Sequence, residues 1–226
     1  MESRGMTRAA HTNHHAIPRT APEACVARLS LYVRELNRLS VRQVPFVSSR
    51  RLAQQLGLTD AQVRRDLSYF GQFGTSGRGY EVERLHHRLG TILGVSGRKW
   101  NVALAGVGNL GSALLAYGGF RERGFLFKVA VDADSDKVGR VVSGVRVAPS
   151  RRLADLVKQH QIQIGLLAVP VHTAQAVCDQ FVGSGVRAIV NFAPVHLEVP
   201  PFVWLRAIDL AVELEGLAFH LARTTR

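Results

Sequence analysis

The sequence predicts an α/β chain of two domains, a small helical domain with a hairpin followed by a parallel sheet flanked by helices. Three observations predict it. Residues 1–100 carry net +9 of the chain's +12 and show the apolar spacing of helices. From residue 101 onward, short apolar runs alternate with helical patterns, the order that builds βα units with right-handed crossovers. At the junction stands Gly106-Val107-Gly108-Asn109-Leu110-Gly111, between an apolar run and a helical run, and Asp132 follows 21 residues after Gly111.

Composition narrows the function classes. A chain of 226 residues with 46% hydrophobic residues can bury an ordinary core in two small domains. No apolar run approaches the roughly 18–20 residues that cross a bilayer, so no membrane partner is expected. Residues 1–22 lack the apolar centre of a secretory signal and read as a flexible tail of a cytoplasmic protein. A basic half beside a nearly balanced half points to a polyanionic partner for the first half. Arginine supplies 25 of the 29 positive charges, which suits forked contacts to phosphate and guanine, although a biased genome composition explains that ratio equally well. Cys25 and Cys178 have no ligand spacing and read as buried reduced thiols. His11, His14 and His15 are able to hold a metal weakly but read as incidental in a flexible tail, and no metal is expected.

The first domain is expected over 23–84. Thr20-Ala21-Pro22-Glu23 has the form of a capping box with proline in the first turn. Val26, Leu29, Val33 and Leu36 then mark a buried helical face, with Arg28, Arg34 and Arg38 off it. A second helix starts at Ser48 or Ser49, turns Leu52, Ala53 and Leu56 inward, and ends at Gly57. Thr59-Asp60-Ala61-Gln62 is another capping box, opening a third helix. Two helices joined by a short glycine-containing turn match a helix-turn-helix. Val63, Leu67 and Phe70 face the core, leaving Gln62, Arg64, Arg65, Ser68 and Tyr69 outside with Asp60 and Asp66. Forked donors, an amide and hydroxyls are the set a recognition helix needs, with Ser48, Ser49 and Thr59 as further DNA candidates. A merely solvated amphipathic helix is the competing reading. Four glycines in Gly71–Tyr80 then favour a tight hairpin with Arg78 near its tip, the wing of a winged helix. A helical pattern over Val82–Leu93 leads into a connecting segment at 85–98.

The second domain is expected over 99–208. Asn101–Ala105 reads as a buried strand and Leu110–Tyr117 as the helix after the glycine turn. Gly106 makes the turn, Gly108 lets the backbone approach a pyrophosphate, and Gly111 packs helix on strand. The helix N-terminus then offers free N–H groups and its dipole to the phosphates, with Val107, Asn109 and Leu110 of the turn as further cofactor candidates. Phe127–Val131 supplies the next strand, and Asp132 ends it where ribose hydroxyls would lie, with Asp134 as a second candidate. This is a Rossmann-like arrangement, and the acid favours NAD over NADP, whose 2′-phosphate it repels. Helices near Arg151–His160 and Thr173–Val182 and strands at Ile162–Val169 and Val186–Val190 extend the sheet. Val169-Pro170 and Asn191-Phe192-Ala193-Pro194 are candidates for a nicotinamide pocket or are ordinary loop prolines. Leu210–Leu221 reads as an amphipathic helix too short to form a substrate domain. His172 and His196 are surrounded by no motif, so no catalytic set is expected.

Taken together, these residues resemble the redox-sensing repressors called Rex. The likeness runs from about Ala24 to Leu221, and its most specific piece is Gln62-Val63-Arg64-Arg65-Asp66-Leu67-Ser68-Tyr69-Phe70-Gly71. The glycine turn, Tyr117-Gly118-Gly119-Phe120, Val131-Asp132-Ala133-Asp134, Asn191-Phe192-Ala193-Pro194 and Ile208-Asp209-Leu210 also fit. The resemblance implies a homodimer that binds palindromic double-stranded operator DNA, takes NADH and NAD⁺, and is released from DNA by NADH. It also implies that the C-terminal segment 209–226 is a helix domain-swapped into the partner, and that Arg34, Tyr117 and Asp209 form a switch set. Arg65 stands where the family often has lysine, and Ser135 where proline is frequent. Two other readings remain: an NAD-dependent oxidoreductase with a basic accessory domain, and a winged-helix regulator of another nucleotide such as a CoA derivative.

Overall fold

In the computed structural model, residues 21–75 and 77–224 are described, so the N-terminal tail with its three histidines and the Thr20 end of the first capping box lie outside the described residues. The chain divides into two compact units, Met1–Ser96 and Gly97–Arg226.

The first unit contains α1 (Glu23–Val41), β1 (Phe46–Val47), α2 (Ser49–Leu56), α3 (Asp60–Ser68), β2 (Gly74–Thr75), β3 (Gly79–Glu81) and α4 (Val82–Ile92). Pro22 is the N-cap of α1 with no side-chain cap bond, so proline stands before the first turn rather than in it. The buried face of α1 is rotated from the expected stripe. Cys25, Leu29, Tyr32, Leu36 and Leu39 are inside, whereas Val26 is exposed. The other two starts form as the capping chemistry demands: Ser48 Oγ accepts from the Arg51 N–H and Thr59 Oγ1 from the Gln62 N–H, each at 3.1 Å. The reciprocal half of the second box is absent, because the Gln62 amide turns to Asp66 instead. Strands β1, β3 and β2 form a small antiparallel sheet in that order, and the Arg78 N–H closes the hairpin turn onto the Thr75 carbonyl at 3.0 Å. Segment 85–98, expected to connect domains, begins inside α4, where Leu85 and Leu89 pack into the core of the first unit.

The second unit is a seven-stranded sheet in the order β10-β9-β8-β4-β5-β7-β6, parallel except for the β6–β7 pair. Its elements are β4 (Trp100–Ala105), α5 (Asn109–Ala116), α6 (Gly119–Glu122), β5 (Phe125–Asp132), β6 (Val141–Val142), β7 (Val145–Pro149), α7 (Leu153–Gln159), β8 (Ile164–Leu167), α8 (Val171–Gly183), β9 (Ala188–Asn191), β10 (Trp204–Ala207) and α9 (Leu210–Thr224). The chain leaves β4 toward β5 and later returns to its other side as β8. The strand order therefore reverses between β4 and β8, and a crevice opens outside their carboxyl ends. Two apolar clusters, one containing Val131, Leu167 and Phe181 and the other Leu104, Ala130 and Val147, hold the strands rigidly beneath it. Helix α9 is different. Leu210, Leu214, Leu217 and Leu221 recur at one-stripe spacing and are 61–69% exposed.

Candidate functional site

The glycine turn joins β4 to α5 at the crevice. Gly106 has φ +92°, and a Cβ there would collide with the Ala168 carbonyl oxygen on the neighbouring chain segment after β8. Gly111 is excluded from growing for a different reason: a Cβ would collide with the Gly106 carbonyl oxygen, so only glycine lets α5 come this close to the strand. Gly108 faces open space, which leaves the backbone approachable at the start of α5. Free N–H groups at that helix start, including those of Asn109 and Leu110, form an anion-accepting end.

Asp132 ends β5 beside the turn. Its Oδ2 accepts from the Val107 N–H at 2.7 Å and its Oδ1 from the Asp134 N–H at 2.9 Å. Lys137 Nζ lies 3.4 Å from Asp132 and 3.5 Å from Asp134. Burial pushes the Asp132 carboxyl up, but the two backbone N–H groups and the lysine outweigh it and hold the acid below its ordinary range. The same two carboxylates raise Lys137 against its own desolvation.

These groups line a cleft of about 750 Å³ with Gly106, Gly108, Pro170, His172 and Thr173, closed by apolar side chains such as Val131, Leu153, Val169 and Val177. Its size and composition, an apolar bed with a few convergent polar groups, suit a nucleotide. Asn191 and Phe192 are not among its walls. Asn191 is fully buried and spends its amide on its own loop, with Nδ2 donating to the Ala193 and Val195 carbonyls and Oδ1 accepting from the Ala193 N–H. Its part is to shape the turn after β9, since both amide protons are spent on that loop and the side chain is fully buried, out of reach of the cleft. Phe192 packs against the cluster around Leu104. Lys137 was missed in the sequence, although its position three residues after Asp134 was the available signal.

The second surface is the outer face of α3. Arg65, Ser68 and Tyr69 are exposed. Arg64 is exposed too, with Nη1 2.6 Å from Asp60. Ser68 Oγ donates to the Arg65 carbonyl, and Ser48 and Thr59 serve as caps whose hydroxyl protons stay available to donate. On the hairpin, the Arg78 guanidinium lies 4.1 Å over the Phe46 ring, which holds its planar fork in place. Asp66, expected outside, is 1% exposed. Arg28 Nε and Nη2 reach its two oxygens at 2.6 and 2.8 Å, Tyr32 Oη donates to Oδ2 at 2.6 Å, and Gln62 Nε2 to Oδ1 at 2.8 Å. Burial alone would raise this carboxyl; the bonds from Arg28, Tyr32 and Gln62 win and lower it to about 2. Removing Asp66 from the surface leaves the outer face of α3 more positive than the linear sequence suggests. Beside this network, burial and then Asp66 push the Cys25 thiol up to about 11, and burial also raises Cys178, so both buried cysteines are held protonated.

Of the expected switch residues, Arg34 is exposed on α1, Tyr117 ends α5 exposed with its ring edge-on to Phe120 at 5.1 Å, and Asp209 Oδ1 accepts from the Ala211 N–H at the start of α9. Among the described residues no helix is long and apolar enough to cross a membrane, and no group of three metal-ligating side chains converges.

Known proteins share this architecture. Residues 20–68 match a family model described as "Putative DNA-binding protein N-terminus", and residues 97–195 match one described as "CoA binding domain". The redox-sensing transcriptional repressor Rex of Desulfitobacterium hafniense is 48% identical over 200 residues, 88% of this chain and 95% of that protein. The chain belongs to the Rex family. The Rex of Streptomyces coelicolor is 46% identical over 205 residues, 91% of this chain and 79% of its own length. The Rex-family repressor RSP, solved in complex with β-NAD⁺ and operator DNA, superimposes with a TM-score of 0.86 at 35% identity, covering 90% of this chain and 94% of RSP. RSP in complex with β-NADH gives 0.82 at 33% identity, covering 91% and 96%. Rex relatives are thus named as repressors rather than oxidoreductases, which agrees with the two-domain reading of the sequence.

Proposed function

We propose that this Rex-family chain is a cytoplasmic, redox-sensing transcriptional repressor that binds operator DNA through the outer face of α3 and the β2–β3 hairpin, and that NADH in the second-unit cleft releases it. The observation that carries the proposal is the likeness over nine-tenths of both chains to RSP, a repressor solved with both classes of ligand. The cleft supports a dinucleotide in detail. Asp132 keeps lone pairs on Oδ1 for a ribose hydroxyl after accepting one backbone N–H, and Asp134 doubles the negative charge that repels a 2′-phosphate. Lys137 tempers that repulsion without cancelling it. The match to a CoA binding domain keeps a CoA derivative as the second reading of the cleft.

The chain acts as a homodimer in this reading. Leu210, Val212, Leu214, Leu217, Phe219 and Leu221 are all more than half exposed on α9. Burying such side chains contributes roughly 1.5–3 kcal/mol each, a gross gain of about 10 kcal/mol or more. That is comparable to the ~4–15 kcal/mol lost when two bodies associate, so a swapped helix is an economical cover for this face. Asp209 at its root, Arg34 on α1 and Tyr117 after the phosphate turn are then the elements through which occupancy of the cleft alters DNA binding.

Operator binding by the full chain, titrated with NADH, NAD⁺, NADPH and acetyl-CoA, tests the function. Release by NADH at lower concentration than by the other three is expected; release by acetyl-CoA alone would transfer the cleft to the second reading. Asp209→Ala tests the switch. It should reduce the coupling between NADH and DNA, typically about 1–3 kcal/mol, more than it weakens either ligand alone. Full NADH-induced release in that variant would remove Asp209 from the switch.

A further inference from the structure

We propose that Asp66 is a positioning residue for base readout: its buried carboxylate locks the side-chain amide of Gln62 with the carbonyl oxygen turned outward. The inference rests on the reading of α3 as the DNA-facing helix. Gln62 sits in the first turn of α3, the end from which a recognition helix contacts base edges. Its Nε2 donates to Asp66 Oδ1 at 2.8 Å. An ionised carboxylate only accepts, so the amide must present N–H to it; flipped, Oε1 would face Oδ1 with no proton between two acceptors, and this hydrogen bond would be lost.

Asp66 cannot follow a moving partner. Arg28 grips both of its oxygens, and Tyr32 Oη occupies Oδ2 from the same helix, α1. With Gln62 these four donors fill the acceptor positions of a side chain that is almost wholly buried. Gln62 itself is only half-buried, and among the described residues its Oε1 and second amide proton meet no partner. An outward acceptor beside one donor is the pair that complements the adenine N6 amino group and N7 in the major groove. A glutamine free to rotate would present either end. The locked one presents a single order of acceptor and donor, so discrimination at one operator position depends on a residue that touches no DNA.

The test compares the full chain with Gln62→Ala and Asp66→Asn on operators carrying each of the four bases at every half-site position. Gln62→Ala should reduce discrimination at one position by about tenfold. Asp66→Asn, which can offer its own amide in either orientation, should relax that same position and leave base ratios elsewhere unchanged. A merely structural Asp66 would instead weaken binding to all operators by one factor, and that outcome overturns the proposal while α3 keeps its DNA-reading role. If Gln62→Ala changes no position, the base-reading assignment of Gln62 fails and the proposal fails with it. Should Asp66→Asn not fold, NMR of the unaltered chain decides: two resolved Gln62 amide protons, one protected from solvent exchange, are expected, and rapid equal exchange of both overturns the lock.

Discussion

Asp66 and Asp132 are both carboxylates held below their ordinary range against the opposing push of burial, yet their surroundings differ in kind. Asp66 is closed: side chains of Arg28, Tyr32 and Gln62 fill its acceptor positions, and nothing further can reach it. Asp132 is held mostly by backbone N–H groups of its own loop and of the glycine turn, and it opens onto a cleft. The comparison teaches that a depressed carboxyl does not by itself mark a binding site. What matters is whether acceptor capacity and access are left over. The same contrast separates the two units, since the first buries its apolar helix faces on itself whereas the second leaves the stripe of α9 uncovered.

The largest effect should come from the open side. Ending the chain after Asp209 removes the uncovered stripe, and binding to a two-half-site operator should be lost; sedimentation of the truncated chain should show a monomer. A stable dimer would break the comparison by showing that α9 is not where the second unit completes itself. Next, Asp66→Ala leaves the partly buried Arg28 guanidinium and the fully buried Tyr32 hydroxyl without their acceptor and should cost about 3–5 kcal/mol of first-unit stability in chemical denaturation. A loss below 1 kcal/mol would mean that the network is not closed after all. Asp132→Ala should act on ligand instead, weakening NADH by about 1.5–3 kcal/mol in calorimetry and narrowing the gap to NADPH. Unchanged affinity for both would shift the ribose contact to Asp134.

Acid gives the smallest and most specific effect. The folded Asp66 carboxyl lies at about 2, below the ordinary 3.8, so its stabilisation is fully present above 3.8 and is lost as pH falls through 2. The first unit should lose on the order of 2 kcal/mol across that window. In Asp66→Asn this limb should vanish; its persistence would assign the acid sensitivity to other carboxylates.

Much of both units was legible. Helix starts at Ser48 and Thr59, the inward set Val63, Leu67 and Phe70, the glycine turn and the acid closing β5 all follow from local rules: capping, periodicity and the steric needs of a tight turn. Strands β6 and β10 were not legible. One has two residues, and the other is an edge strand after Pro200-Pro201 whose exposed side chains carry no alternation. Asn191 sat at the expected carboxyl edge, but whether its amide faced a ligand or its own loop depended on backbone bends further along.

By itself the sequence determined the order of the main helices and βα units, the asymmetry of charge and the positions where only glycine could stand, because these depend on neighbours within a few residues or on composition. The tertiary structure alone decided that α1 turns Tyr32 inward rather than Val26, that Arg28 pairs with an acid 38 residues away, and that Lys137 closes on two carboxylates beside the cleft. Those outcomes depend on which donor meets which acceptor once helices pack, and a buried carboxylate's partners are chosen by the core around it, wherever in the chain they come from.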